Sequence, residues 1–201
     1  MKNHLKVLMI ATVAAAAQVQ LAHAQTFVVP GTADPWLANG GTDDYLPGNG
    51  NLDTTPAQSP VAFGAVTPGG TISWSATGST GNTPTPGNAG PNGSTIATYI
   101  ATPSDPIFAA LPTFSAPVNS LIGVFTGPGY ADIFEMGDGG SITVPAGAAD
   151  FYMGSMDGYQ WNNNSGAFDV NISTVPDGGT TLALLGGTLL GLQVLRRKLS
   201  V

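Results

Sequence analysis

The alternation of apolar and polar residues predicts a chain built mainly of β-strands. Thr71 to Ala76 and Ala167 to Ile172 alternate with a period of two, as half-buried strands do. The continuous apolar run from Leu121 to Phe125 predicts a central strand that is buried on both faces. Further strands are predicted at residues 27–29, 61–66, 141–145 and 150–154. The segment 97–117 fits either an insertion or a long crossover, with a short strand at 98–101.

Stretches rich in Gly, Pro, Asn and Thr separate the predicted strands. Residues 39–50 and 79–93 are predicted to be loops from this composition. No segment between the two ends of the chain has a convincing helical period. Strands joined by turn-rich loops, without amphipathic helices, indicate an antiparallel β-sandwich. We therefore predict one all-β domain over residues 25–174, with Trp36 and Trp74 as packing residues.

The first 24 residues have the pattern of a secretory signal peptide. Lys2 and Lys6 form a positive start, and Val7 to Ala17 form an apolar stretch. A small-x-small cleavage site, Ala22-His23-Ala24, stands before Gln25. The sequence therefore predicts that the exported chain begins at Gln25.

The C-terminal segment, residues 175–201, has three consecutive parts. A turn-prone pentapeptide, Val175-Pro176-Asp177-Gly178-Gly179, precedes an uncharged and mostly apolar run from Thr180 to Leu195. The basic residues Arg196-Arg197-Lys198 follow this run. As a helix the run would be about 24 Å long, and basic side chains that snorkel would extend it toward a ~30 Å hydrocarbon core. We predict a transmembrane helix with a cytoplasmic basic stop; a buried helix of a globular domain is the alternative.

This tail resembles the PEP-CTERM class of bacterial sorting signals, in the variant whose signature is V-P-D-[SG]-G. Asp177 and Gly178 fill that signature, and Asp177 stands where the commonest form has Glu and then Pro. The resemblance implies a protein that is exported, held briefly in the membrane by its tail, and processed by an exosortase-type enzyme. It also implies a location at the cell envelope, at the cell surface or outside the cell.

The segment between the two signals is purely acidic. All Lys, Arg and His residues lie within residues 2–23 or 196–198, and the chain has no Cys. Nucleic acid binding, His-dependent nucleophilic catalysis, and zinc or copper sites therefore lack their residues in this segment. The remaining chemistry uses oxygen atoms: binding of a hard cation such as Ca²⁺, or glycoside hydrolysis by two carboxylates. No site for hydrolysis stands out, and we expect a protein that is not an enzyme.

One loop combines a carboxylate with amides at a spacing that suits a cation. Asp157 ends a predicted strand, and Asn163 and Asn164 stand just before the next one. One carboxylate, two amide oxygens and one or two loop carbonyls would make most of a Ca²⁺ shell. An ordinary hairpin loop is the alternative, because Asn and Gly also favour turns. The residues by themselves leave both interpretations open.

The stretch from Asp157 to Ile172 resembles the calcium loop of the LecA-like (PA-I) galactose-binding lectin family. In that family an Asp is followed six or seven residues later by Asn/Asp-Asn-Ser-Gly and a strand of the form x-F-x-V-x-I. The corresponding residues here are Asn163-Asn164-Ser165-Gly166 and Ala167-Phe168-Asp169-Val170-Asn171-Ile172. Residues 71–78 and 90–93 match the T-I-x-x-x-A-x-G strand and the G-P-x-G loop of the family, and residues 29–38 match the opening of similar PEP-CTERM modules.

The LecA resemblance implies a galactose-binding-like sandwich of the jelly-roll type with one calcium site. Its side-chain ligands would be Asp157, Asn163 and Asn164, and Gln160 and Asn82 would offer main-chain oxygens. The sugar-contacting His of the family has no counterpart in this domain.

Two aromatic residues of the loop have alternative roles. If the rings of Tyr159 and Trp161 are exposed, they could stack on the face of a sugar; packing inside the domain is the other interpretation.

The sequence thus predicts an exported surface or matrix protein with a calcium-binding sandwich and a structural or adhesive role. A calcium-dependent carbohydrate-binding lectin and an Asp/Glu glycoside hydrolase are the alternatives. The expected partners are the processing enzyme, the membrane through the C-terminal helix, and extracellular polysaccharide, but not nucleic acid.

Overall fold

A computed structural model describes residues 23–40, 56–82, 87–95, 98–101, 114–158, 160–175 and 187. Residues His23–Thr174 form one compact unit, which begins two residues before the predicted start of the exported chain. The predicted signal sequence before His23, the predicted transmembrane helix apart from residue 187, and Tyr159 lie outside the described residues. Within the described ranges, no helix has the length and apolar character needed to cross a membrane.

The part of this unit that the structure describes consists of antiparallel strands and two short 3-10 helices. The strands are β1 His23–Pro30, β2 Val61–Ala65, β3 Thr71–Asn82, β4 Gly87–Ala89, β5 Thr98–Ala101, β6 Phe114–Pro117, β7 Leu121–Gly127, β8 Tyr130–Glu135, β9 Gly139–Thr143, β10 Asp150–Ser155 and β11 Asn164–Val175. The 3-10 helices are Pro35–Gly40 and Trp161–Asn163. The prediction of an all-β antiparallel fold is therefore confirmed.

Two larger sheets face each other across the main core. One sheet has the order β1-β11-β3-β4, with β9 also paired to β3, and the other has the order β2-β10-β7-β8. Strands β5 and β6 form a separate pair. The core takes Val29, Ile72 and Phe168 from the first sheet, and Phe125 and Phe151 from the second. This arrangement is sandwich-like, as the strand pattern predicts.

Strand burial agrees with the pattern of apolar residues. Strand β7 lies between β10 and β8 and is buried at six consecutive positions, so the apolar run 121–125 is an interior strand as predicted. In β11, Phe168, Val170 and Ile172 are buried, whereas Asp169 and Asn171 are exposed. The alternation of apolar and polar residues therefore predicts which face of β11 packs against the core.

An aromatic cluster fills the space between β7, β8 and β10. The ring centroids of Phe125 and Phe151 are 4.9 Å apart, and those of Phe125 and Phe134 are 5.6 Å apart. Gly123 leaves room for this cluster, because a Cβ atom there would lie 2.6 Å from the Phe134 ring.

Some elements differ from the sequence prediction. The predicted loop 79–93 was wrong in part, because β3 continues to Asn82 and β4 occupies 87–89. Strand β8 was not predicted; its sequence does not alternate regularly, and only one of its residues is fully buried. Strand β9 lies at 139–143 instead of 141–145, and the short strand at 98–101 is confirmed.

Candidate functional site

The loop with the candidate cation ligands crosses from one sheet to the other. Strand β10 ends at Ser155 in one sheet, and β11 begins at Asn164 in the opposite sheet. The segment between them therefore connects the two layers of the sandwich. The alternative of an ordinary hairpin is wrong, because β10 and β11 are not paired with each other.

Trp161 fixes the shape of this loop from inside. Its indole N–H donates a hydrogen bond to the main-chain oxygen of Ser155 at 2.7 Å, and its ring lies 5.5 Å from the ring of Trp36. Gln160, just before the 3-10 helix, is left-handed with φ 64° and ψ 54°, and its carbonyl accepts the N–H of Asn163 at 3.1 Å. The loop is therefore held at both ends by buried contacts and a tight turn.

The position of Trp161 corrects one sequence hypothesis. The side chain is fully buried, with no exposed area. A ring in this position packs against Trp36 and cannot present a face to a sugar, so the exposed alternative for Trp161 is wrong. Tyr159, the other aromatic residue named for sugar contact, lies outside the described residues.

The candidate ligands occupy two different environments. Asp157 is fully buried, and its Oδ1 accepts the N–H of Gly158 at 2.6 Å. Asn164 is 7% exposed, and its Nδ2 donates to the main-chain oxygen of Gly31 at 3.1 Å. The Oδ1 atom of Asn164 is buried and has no hydrogen-bond partner. Asn163 is exposed and Gln160 is half-buried, so these two lie toward the surface of the loop.

Other segments converge on the same end of the sandwich. Ser155 donates its N–H to Ala33 at 2.9 Å, which joins the end of β10 to the segment after β1. Asn119 donates its N–H to Met156 at 2.8 Å, and Thr80 Oγ1 donates to the oxygen of Asn119 at 3.1 Å. Ser165 Oγ donates to the oxygen of Gly81 at 3.4 Å. Strand β3 thus ends beside the start of β11, and its last residue is Asn82, the candidate main-chain ligand.

A second buried acid, Asp34, lies next to Ala33 in the segment that is bonded to the end of β10. It was not singled out from the sequence as a candidate ligand. Asp34 is fully buried; its Oδ1 accepts the N–H of Trp36 at 2.8 Å, and its own N–H donates to Gln58 at 2.8 Å. The available signal was the Asp-Pro pair before Trp36, since an Asp side chain often caps a following turn. Asp34 follows Ala33, which accepts the hydrogen bond from Ser155.

The charged side chains near the β10–β11 loop are all acidic. Residues 24–195 contain no Lys, Arg or His, so neither Asp34 nor Asp157 can form an ion pair with a basic side chain of that segment. Among the residues that the structure describes, no group of three or more His, Cys, Asp or Glu side chains is placed to hold a metal. A cation at this loop would therefore depend on amide and main-chain oxygens as well as on carboxylate.

Comparison with known proteins gives two findings. Residues 174–199 match the VPDSG-CTERM motif. A solved structure described as the EclA N-terminal domain, a PllA-like lectin, is 16% identical over 75% of this chain and 95% of that chain, with a TM-score of 0.42. No curated protein matches the chain.

The motif match decides where the protein goes. It begins at Thr174 and takes in the V-P-D-G-G pentapeptide, the apolar run and the basic residues, which were predicted as a sorting tail. The chain is an exported protein that carries a VPDSG-CTERM sorting motif and is held transiently at the membrane or the cell surface.

Proposed function

We propose that this exported protein binds Ca²⁺ at the loop between β10 and β11, and that the ion fastens this end of the sandwich. The supporting observation is the Oδ1 atom of Asn164, which is buried and has no hydrogen-bond partner. A buried polar oxygen without a partner lowers the free energy of unfolding by about 1–3 kcal/mol. A bound cation would remove this penalty. The amide is not free to turn away, because its Nδ2 is bonded to Gly31.

The charge of Asp157 supports the same proposal. Removing a carboxylate from water costs several kcal/mol unless a cation or several hydrogen bonds compensate it. Residues 25–174 contain no basic side chain for this purpose. A divalent cation would neutralise the carboxylate, and the oxygen donors of Asp157, Asn164 and Asn163 suit a hard cation such as Ca²⁺ better than zinc or copper. The main-chain oxygens of Gln160 and Asn82 would complete part of its shell.

The location makes a structural or adhesive role reasonable. Extracellular modules bind Ca²⁺ with dissociation constants of about 10⁻⁴–10⁻³ M, which suits the surroundings of a surface protein. The loop is joined by hydrogen bonds to the segments at Ala33 and Asn119, so an ion at the loop would stabilise all of them together. We therefore propose a non-enzymatic surface component whose sandwich is more stable where Ca²⁺ is available.

A carbohydrate-binding lectin is the second candidate, because the sequence of the loop resembles that of the LecA-like family. In this form the ion would also contact hydroxyl groups of a sugar or of an extracellular polysaccharide. The buried position of Trp161 removes one candidate sugar contact, so this candidate depends on Tyr159 and on the ion.

Thermal unfolding of residues 25–174 with Ca²⁺, with Mg²⁺ and with chelator tests the proposal. At 100 times the dissociation constant, Ca²⁺ should add about 2.7 kcal/mol of stability. That corresponds to a rise in Tm of several degrees for a domain of this size. Absence of any Ca²⁺ effect on Tm, with no ion bound in native mass spectrometry, would sink the proposal. A glycan array with and without Ca²⁺ then separates the lectin from the purely structural form.

A further inference from the structure

The two ends of the folded unit are neighbours in one ladder. Strand β1 pairs with β11 so that His23 lies opposite Thr174, Ala24 opposite Ser173, and Gln25 opposite Ile172. The predicted leader ends at Ala24, so the first two ladder positions of β1 belong to the leader and not to the exported chain.

The sorting motif begins inside the same ladder. The VPDSG-CTERM match starts at Thr174, and β11 extends to Val175. The first residues of the motif are therefore also the last residues of a strand. Thr174 is held opposite His23, a residue that is predicted to leave with the signal peptide.

We propose that removal of the leader uncovers the edge of β11 at Ser173 and Thr174, and that the membrane enzyme that processes the sorting tail docks on this edge by strand addition. In the first step, one water molecule hydrolyses the amide between Ala24 and Gln25, leaving a carboxylate on Ala24 and an amine on Gln25. The departing product takes His23 and Ala24 with it. Strand β1 then begins opposite Ile172, and β11 loses its neighbour beyond that point.

The uncovered edge is suited to recognition by main-chain hydrogen bonds. In the sheet order, β11 lies between β1 and β3, so β3 still flanks β11 after the leader has gone. An extended strand with unpaired N–H and C=O groups is a template for an added strand. Ala24 also lines a shallow groove together with Ser75, Asn171 and Ser173, and its loss opens that groove. Because the edge continues directly into the sorting motif, the tail-processing enzyme is the partner that it fits.

A relocated cleavage site tests the proposal in cells that make the full chain. Gln18→Ala, Gln20→Ala and Ala24→Val together move the small-x-small site to residues 18–20, so the leader is still removed but residues 23 and 24 stay in the ladder. Pulse-chase mass spectrometry of the tail should then show processing slowed roughly tenfold, the factor for one or two net backbone hydrogen bonds. Processing at the wild-type rate would overturn the proposal.

A rescue variant separates the ladder from other effects of the extra residues. It carries Gln18→Ala and Gln20→Ala with His23→Pro and Ala24→Pro. Along β1, every second main-chain N–H points toward β11, so only one of residues 23 and 24 can donate to it. Proline has no N–H, and Pro at both positions therefore removes that donor. Tail processing should return to the wild-type rate, and continued slow processing would contradict the proposal.

Hydrogen exchange gives a readout that does not depend on export. In purified full-length chains, the peptide covering residues 172–175 should exchange roughly tenfold faster when the leader has been removed than when it is retained. Equal exchange, or an N-terminus at His23 or earlier in the wild-type exported chain, would overturn the proposal. If the leader-free chain dimerises and the relocated variant does not, the edge binds a second copy of this chain and not the processing enzyme, which would overturn the proposal.

Discussion

Asn164 and Gly31 are joined by a side-chain to main-chain hydrogen bond of 3.1 Å that fixes the orientation of the Asn164 amide. A main-chain carbonyl can only accept, so Nδ2 must face Gly31 and Oδ1 must point away from it. The buried Oδ1 is thereby left without a hydrogen-bond partner. The bond to Gly31 thus leaves a buried oxygen atom without a partner at the first residue of β11.

Asp157→Asn is expected to abolish the Ca²⁺-induced rise in Tm of residues 25–174. The substitution preserves shape and removes the charge that attracts the ion. In the presence of chelator the variant should be as stable as the wild type or more so, because a buried carboxylate without a cation is unfavourable. Calorimetry with and without Ca²⁺ measures both effects. Asp169→Asn, at an exposed position of β11, is the matched control and should keep the full Ca²⁺ response.

Asn164→Ala is expected to weaken the Ca²⁺ response and also to destabilise the ion-free domain. The second effect follows because the Gly31 carbonyl loses its donor. Removal of the partnerless Oδ1 offsets part of this cost, so the net loss should be at most about 1 kcal/mol in urea unfolding. Asn162→Ala, at an exposed position of the same loop, should leave the Ca²⁺ response unchanged. Equal Ca²⁺ responses of the two variants would show that Asn164 is not a ligand.

Trp161→Phe is expected to lower the free energy of unfolding by about 1–3 kcal/mol, because the buried carbonyl of Ser155 loses its donor. Trp74→Phe is the matched control, since the indole N–H of Trp74 donates to Met136 at 3.0 Å from a half-buried position. Water can replace the lost donor more easily there, so the second variant should lose less stability. Urea unfolding followed by circular dichroism gives both values, and the reverse order would contradict the role assigned to Trp161.

Gly123→Ala is expected to destabilise the domain by about 1–3 kcal/mol through overpacking. The added Cβ would lie 2.6 Å from the Phe134 ring and 2.9 Å from the Phe151 ring. Gly90→Ala is the control, because the nearest atom to its added Cβ is 4.0 Å away. Thermal unfolding of both variants should show a clear fall in Tm for the first and little change for the second.

Truncation after Val175 is expected to release the protein into the medium. The shortened chain keeps the folded unit and loses the apolar run and Arg196-Arg197-Lys198. Fractionation of cells that make the full and truncated chains measures this. Retention of the truncated protein in the membrane fraction would show that another segment anchors it.

Much of the strand content was predictable from local pattern. Strands such as β7 and β11 bury one or both faces fully, so their apolar residues repeat with a clear period. Strand β8 is at the edge of its sheet and has a single buried residue, Ile133, so its sequence does not show the same regularity. The end of β3 and strand β4 were interpreted as loop because their Gly, Asn and Thr composition is common in turns.

The candidate site was predictable in its residue types but not in its surroundings. The spacing of Asp157 and Asn164 in the sequence indicates oxygen ligands, and both lie in the loop between β10 and β11 or at its end. The buried position of Trp161, by contrast, follows from its contact with Trp36, which is 125 positions earlier in the numbering. No local pattern reveals a contact of that kind.

The sequence by itself determined the export address, the all-β character and the acidic, His-free chemistry of the exported segment, because each of these depends on residue type and near neighbours. The tertiary structure alone decided that the loop after β10 joins two sheets and that Trp161 lies inside. It also placed Gly31 beside Asn164, at a separation of 133 residues. Such contacts depend on which strands become neighbours, and strand order is set by packing of the whole core and not by periodicity along the chain.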